Sequence, residues 1–340
     1  MILLLALASA AALSAALVVA LFPLMRRYAL ARPNARSSHR VPTPQGGGIA
    51  VVGATLVVGA AALWTAGLPP EAATQVLVLA GATLLLAVIG AVDDIRPLPV
   101  LPRLLLQAFS VAAVVWASSA TGRVLGIDVP LWLEIAIATI AGLWFVNLTN
   151  FMDGLDWLTV AAMVPITATI AALGLAGIVE TPEGIVAAAL LGALVGFAPF
   201  NRPVARLFLG DVGSLPIGLL VAWLLFGLAA QGHVVAAILL PLYSCSDATL
   251  TLLRRAARRE PVWQAHRSHY YQRATDLGLG ALEISGTIFA ANVVLALLAV
   301  GSIVVEGLAA DVGALVLGGA VVAGVLLRFG RSRSRLEATR

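Results

Sequence analysis

The sequence contains no lysine. All 21 of its basic residues are arginine, which excludes Schiff-base chemistry on a lysine and the lysine of a phosphate-binding P-loop. It has one cysteine, Cys245, so an internal disulfide, a Cys-rich zinc site and an iron–sulfur cluster are excluded as well. Above all it is short of charge. Only 11% of its 340 residues are charged, against roughly 25% in an ordinary soluble domain. So few charges cannot cover a soluble protein of this length, and the deficit excludes a cytosolic globule, a disordered chain and a nucleic-acid-binding module.

What is present in excess is apolar. Hydrophobic residues make up 61% of the chain and the mean hydropathy is +1.00, the composition of a polytopic helical membrane protein. Residues 1–24 are almost wholly apolar, have no basic segment before them and are followed by Arg26 and Arg27. That run is longer than the roughly 7–15 residues of a signal-peptide core, so it reads as a retained first span with its N-terminus outside. Apolar runs of spanning length fall near 2–24, 46–66, 74–92, 103–120, 130–147, 158–178, 184–200, 213–230, 234–252, 280–304 and 309–328. The expected fold is therefore all-α with about eleven transmembrane helices, or ten if two runs joined by a very short turn form one. Residues 1–330 read as a single transmembrane helical domain and 331–340 as a short basic cytoplasmic tail. With the N-terminus outside, 20 of the 21 arginines fall on the inside and only Arg123 falls outside. This satisfies the positive-inside rule and makes the C-terminus cytoplasmic.

Five polar constellations interrupt the apolar pattern, all on the side assigned to the cytoplasm. Residues 33–48 combine prolines that pin the backbone with three glycines that allow close approach, and include His39 and Thr43; a plain arginine-bearing loop explains this segment equally well. Asp93 and Asp94 follow the third run. Adjacent carboxylates at a membrane edge repel unless a cation or a task holds them; Mg²⁺, which takes oxygen ligands and bridges to phosphates, is the natural cation, and a solvated helix end is the plain reading. Asn147, Asn150 and Asp153 are three residues apart and share roughly one face of a continuing helix, with Asp156 extending the stripe. Asp211 lies between Gly210 and Val212-Gly213, ahead of an apolar helix, as either a helix cap or a metal ligand. Finally, His266-Arg267-Ser268-His269-Tyr270-Tyr271-Gln272-Arg273 suits an anionic ligand, because Arg and protonated His donate to phosphate oxygens; the alternative is a basic patch on anionic lipid. Asp247, about two turns before Arg254, is either a buried partner of that arginine or a further member of the site.

In this order the five constellations resemble the polyprenyl-phosphate N-acetylhexosamine-1-phosphate transferases of glycosyltransferase family 4. The similarity is to the undecaprenyl-phosphate branch that starts O-antigen, and more distantly to the muramoyl-pentapeptide translocase. The resemblance spans residues 33–273. It implies a membrane enzyme of the bacterial plasma membrane, with its site on the cytoplasmic face, that transfers an N-acetylhexosamine 1-phosphate from a UDP-sugar to polyprenyl phosphate and releases UMP. It implies Mg²⁺, with Mn²⁺ as the substitute, held by Asp211 and Asn150 with Asp94 nearby. Asp93 would be the general base and His266 and His269 catalytic groups. Asn147, Asn150, Asp153, Arg267, Arg273, Thr43 and His39 would bind substrate, and Asp156 would accept the uracil N–H. The implied partners are the UDP-N-acetylhexosamine, the lipid, the membrane and a second copy in a homodimer. Two positions depart from the pattern: Ala31, where relatives often carry an acid, and Trp157, where a glycine often follows Asp156. The rival class, a secondary transporter of a small anion, places its polar groups near the bilayer midplane on broken helices, whereas here they lie at helix ends.

The arginine pattern makes a direct prediction. In a Cys245→Ala background, single cysteines at 211 or 269 should resist an impermeant thiol reagent added to intact cells. Labelling from outside would refute the topology.

Overall fold

The computed structural model describes residues 1–31, 42–120, 122–261 and 266–330. His39 and the other arginine-rich positions of 32–41 lie outside the described residues, as does the basic segment 331–340. In chain order the elements are α1 (Ile2–Tyr28), β1 (Leu30–Ala31), β2 (Thr43–Pro44), α2 (Gly48–Ala66), α3 (Pro70–Ile95), α4 (Val100–Ser119), α5 (Leu131–Phe151), α6 (Leu158–Leu175), α7 (Thr181–Phe197), α8 (Asp211–Ala230), α9 (Val234–Leu239), α10 (Leu242–Ala257), α11 (Tyr270–Asp276), α12 (Ala281–Val305) and α13 (Leu308–Gly330). The two strands are a two-residue antiparallel ladder, Leu30 opposite Pro44 and Ala31 opposite Thr43.

Nine helices among the described residues are long and apolar enough to cross a membrane: α1 to α6, α8, α12 and α13. The chain is an integral membrane protein. Two of the eleven expected spans differ from the rest. The run at 184–200 forms α7, which is apolar but only 17 residues long. The run at 234–252 is not one helix but two, α9 and α10, with Pro241 between them. Proline has no N–H to continue the ladder and its ring collides with the carbonyl four residues earlier, here that of Ala237. Beyond the break, α10 turns polar on one face: Tyr243, Asp247, Thr251 and Arg255 recur every fourth residue, and all four are buried.

Helix α8 is the centre of the bundle. Over its most apolar stretch 89% of residues are buried, against 22–44% in α1–α5, α12 and α13, which turn a face outward. It packs on α3, α5, α2, α6 and α9. The outward faces carry exposed apolar side chains such as Leu101, Leu105 and Phe109 on α4, as lipid requires. Exposed Trp64, Trp116 and Trp132 lie at the ends of α2, α4 and α5 farthest from the polar constellations, an aromatic ring of the kind that sits at a membrane interface.

The start of α8 is held by backbone contacts that leave no room for side chains. A Cβ on Gly90 of α3 would lie 2.2 Å from the Asp211 carbonyl oxygen, and one on Gly48 of α2 would lie 2.2 Å from the Gly213 Cα. The chain entering α2 runs alongside the chain entering α8. Phe208 N–H donates to the Pro44 carbonyl, and the N–H groups of Gly47 and Gly48 donate to the carbonyls of Phe208 and Leu209.

Gly90→Ala should therefore push α3 off the start of α8 and cost about 1–3 kcal/mol, read as a lower melting temperature in detergent. Gly81→Ala, on the same helix with nothing within 4 Å of the new methyl, should change stability by no more than about 0.5 kcal/mol.

Candidate active site

Helix α8 begins at Asp211, and the preceding Gly210 has φ +79°, a left-handed value that glycine adopts without strain. No side chain of that segment caps the helix. The cap comes from α3: Asp94 Oδ1 and Oδ2 accept the backbone N–H groups of Asp211 and Val212 at 3.0 and 3.1 Å. A carboxylate at a helix N-terminus satisfies orphan donors and meets the positive end of the helix dipole. Gly210 is required twice over, because a Cβ there would fall 2.6 Å from Asp94 Oδ2. Gln45, just after β2, donates its side-chain N–H to the Asp94 carbonyl at 3.0 Å and ties the first constellation to the second.

Asp93 turns the other way. Its Oδ1 accepts Leu98 N–H at 2.7 Å and its Oδ2 is ion-paired with Arg103 of α4. The same guanidinium nitrogen lies 3.9 Å from Asp211 Oδ2. Asp211 Oδ1 accepts the Asn150 side-chain N–H at 2.6 Å, and Asn150 also donates to Ser214 Oγ at 2.9 Å. Asp93, Asp94, Asn150, Asp211 and Ser214 thus converge, with Arg103 among them. The sequence pattern had marked Arg103 only as a topological charge. Its signal was there to be read: ten residues after Asp93 and one helical turn before the buried polar Gln107.

The stripe expected on α5 is cut short. The helix ends at Phe151, so Asp153 and Asp156 lie in the following loop rather than on its face. Asn147 points away from the carboxylates and donates to Gln107 of α4 at 2.9 Å. Asp153 accepts a hydrogen bond from Thr159. Buried Asp156 accepts Ala205 N–H at 2.9 Å, and its carbonyl accepts Ser285 Oγ–H. Trp157 adopts φ +63° as the residue that opens α6. Its backbone N–H donates to Asn201 Oδ1, and its indole N–H to the Ala198 carbonyl at 2.6 Å.

His269 is buried at the start of α11, 3.3 Å from Asp247, with the His266 ring 4.8 Å away. Tyr271, also buried, donates its hydroxyl to the Phe151 carbonyl at the end of α5, which brings this loop against the Asn150 turn. Asp247 is thus a partner of the histidine loop and not of Arg254, whose guanidinium stacks on Tyr270. The loop's arginines turn elsewhere. Arg267 pairs with Thr275 and Asp276, and Arg273 donates to the Gly330 carbonyl at the end of α13. Thr43 lines a separate recess of about 530 Å³ with Phe22, Arg26, Pro44, Ala205 and Arg206.

The donor set at Asp211 fits a hard divalent cation. Such a cation takes oxygen ligands, and Mg²⁺ is usually held by one or two carboxylates plus substrate phosphates. Among the described residues no three Asp, Glu, His or Cys side chains form a ready-made cage. Two carboxylates, Asp93 and Asp211, flank Arg103, and Asp211 is the more open of them, 26% exposed against 10% for Asp93. With Asn150 and Ser214 beside it, Asp211 offers oxygens to a cation that a phosphate ligand would complete.

Residues 76–229 match the family described as Glycosyl transferase family 4. The match covers α3 to α8, the helices that supply the carboxylates. Over that stretch the chain is similar to this family, and it is an enzyme. It is 27% identical over 337 residues to the decaprenyl-phosphate N-acetylglucosaminephosphotransferase of Mycobacterium tuberculosis, covering 88% of this chain and 81% of that protein. It is 25% identical over 287 residues to the probable undecaprenyl-phosphate N-acetylglucosaminyl 1-phosphate transferase of Bacillus subtilis, covering 77% and 75% of the two chains. A phospho-N-acetylmuramoyl-pentapeptide-transferase of Synechococcus is 35% identical over 196 residues, about half of each chain.

Asp153 lies outside the spans, and burial pushes its carboxyl up to about 7; the Thr159 hydrogen bond lowers it and the nearby Asp94 raises it further. The folded protein then holds a proton that the unfolded chain releases near pH 4. Stability from this group is full below about pH 4 and falls as pH rises toward 7. In chelator, the melting temperature of Asp153→Asn should gain on wild type across that window and hold its lead above it. Parallel melting profiles would contradict the assignment.

Proposed function

We propose that this protein transfers N-acetylhexosamine 1-phosphate from a UDP-sugar to polyprenyl phosphate on the cytoplasmic face of the bacterial plasma membrane, as the first step of a cell-surface glycan such as O-antigen. N-acetylglucosamine is the sugar favoured, because the names of the two longest matches described above carry it. The observation that carries the reading is the convergence of Asp93, Asp94, Asn150 and Asp211 at one end of the bundle, within the segment that matches the family.

An oxygen of the lipid phosphate attacks the β-phosphorus of the UDP-sugar. The bond between that phosphorus and the bridging oxygen breaks, and UMP leaves with the oxygen. A phosphate monoester has its second pKa near 6, so the attacking dianion is present at neutral pH and needs little help from a base. Asp93 instead holds Arg103 through an ion pair, and Arg103 donates to anionic oxygens of the substrates. Asp211 and Asn150 would hold Mg²⁺, which neutralises diphosphate charge when bound. Asp94 fixes Asp211 by anchoring its backbone. His266 and His269 lie beside the end of α5 and supply donors to the phosphates. Polar groups gathered at helix ends, rather than at the midplane, argue against the transporter reading.

Purified protein given radiolabelled UDP-N-acetylglucosamine and polyprenyl phosphate should form lipid-extractable label only with Mg²⁺ or Mn²⁺. Asp211→Asn keeps the size of the side chain but removes the charge, and should lower turnover roughly a hundredfold or more with an unchanged melting temperature. Near-normal transfer by the folded variant would remove Asp211 from the site.

A further inference from the structure

Asp247 is fully enclosed in the bundle, yet no step above uses it. Five groups surround its carboxylate. Oδ1 accepts Tyr270 N–H at 2.9 Å and the Thr251 hydroxyl at 3.3 Å, and lies 3.3 Å from His269 Nδ1. Oδ2 accepts the Tyr243 hydroxyl at 3.1 Å and Tyr271 N–H at 3.2 Å. Two of these groups are the first backbone N–H groups of α11, so Asp247 caps that helix from α10. The fifth is the ring of a histidine itself buried against Phe151, His266 and Tyr271, at centroid distances of 6.2, 4.8 and 5.8 Å.

His269 Nδ1 has two arrangements open to it. It can accept a hydrogen bond from Gln272 N–H as an ordinary N-cap, in the capping box whose other half runs from His269 N–H to Gln272 Oε1. Or it can donate to Asp247. One nitrogen cannot do both, since the first needs its lone pair and the second a proton. The surroundings of Asp247 decide between them. Its other four neighbours are all donors, so it stands as an acceptor-only carboxylate, and a bare lone pair held 3.3 Å from it would be repelled. Both groups are buried, where such repulsion is poorly screened.

We propose that Asp247 is a positioning residue for the sugar-phosphate transfer. It fixes His269 with Nδ1–H toward α10, so that Nε2, on the opposite edge of the ring, is the nitrogen presented to the anionic oxygens of the substrates. This rests on the transferase reading above. It also gives a reason for burying a carboxylate beneath a polar loop: a second group orients an imidazole by engaging the nitrogen that the chemistry does not use.

The test reads the tautomer directly. The chain has four histidines, so protein labelled with ¹⁵N-histidine gives a small set of imidazole resonances, and loss of one set in His269→Gln assigns it. Wild-type His269 should show a protonated Nδ1, and that signature should be lost in Asp247→Asn. In transfer assays Asp247→Asn should lower kcat roughly ten- to a hundredfold with KM for the nucleotide sugar within about twofold. The same substitution should cost nothing further in a His269→Gln background, because its effect runs through that ring. An equal loss in both backgrounds would make Asp247 a purely structural cap and overturn the proposal. So would an active wild-type enzyme whose His269 is neutral with its proton on Nε2. That reading needs no Asp247 variant, so the proposal stays testable if Asp247→Asn does not fold. A wild-type protein with no sugar transfer would overturn the transferase reading instead.

Discussion

The structure turns on carboxylates lent from one helix to the N-terminus of another. A helix leaves its first N–H groups without partners, and inside a bundle those groups need an acceptor. At α8 the acceptor is Asp94 of α3, and at α11 it is Asp247 of α10. Neither helix caps itself with a short polar side chain in the usual way. Each borrowed cap also locates a residue of the proposed site. Asp94 holds the backbone of Asp211, and Asp247 holds the backbone of the two tyrosines that follow His269. Local helix chemistry and site geometry are thereby a single requirement, and a change in either carboxylate is felt in both.

This arrangement shows what already occupies the oxygens of each aspartate. Asp94, whose plain reading is a solvated helix end, instead caps a helix that starts 117 residues later in the chain. Asp211, which looked like the cap, is instead the first helical residue. Its side chain is free to meet Asn150, with Arg103 nearby. Asp156 accepts the backbone N–H of Ala205, and Asn147 donates to Gln107. A carboxylate's chemistry therefore follows from what already occupies its oxygens more than from the motif around it.

The spans and the motif residues were readable because both are local signals. Apolar runs of spanning length locate every long helix, and glycines beside acids locate the loops. What could not be read were relations between distant positions. Arg103 stands in a stretch rich in proline and looks like one more topological charge until α3 brings Asp93 against it. Asp247 was visible as a buried acid, but pairing it with Arg254, seven residues on, follows helix spacing, whereas three of its five partners come from a loop more than twenty residues away. The break at Pro241 was in plain view, yet the apolar residues on both sides masked it as one span. The early end of α5 was hidden in the same way, since the three-residue spacing of polar groups continues past the point where the helix stops.

For the transfer proposed above, the ring of Trp64, Trp116 and Trp132 has a consequence for how the two proposed substrates meet. On α4, 13 residues separate Arg103 from Trp116, which is roughly 20 Å of helix; on α5 the 18 residues from Trp132 to Asn150 span roughly 27 Å. A hydrocarbon layer is about 30 Å thick, so with tryptophans at one interface the carboxylates come to rest close to the other. A lipid phosphate lies at that depth already. In the proposed transfer the lipid acceptor would then reach Asp211 by sliding sideways in its own leaflet, with its chain still in the bilayer, while the nucleotide sugar would arrive from water. The encounter with one substrate is two-dimensional and with the other three-dimensional, so the rate depends on the surface density of the lipid and on the bulk concentration of the sugar nucleotide. Diluting the membrane with inert lipid would slow the first encounter and leave the second untouched.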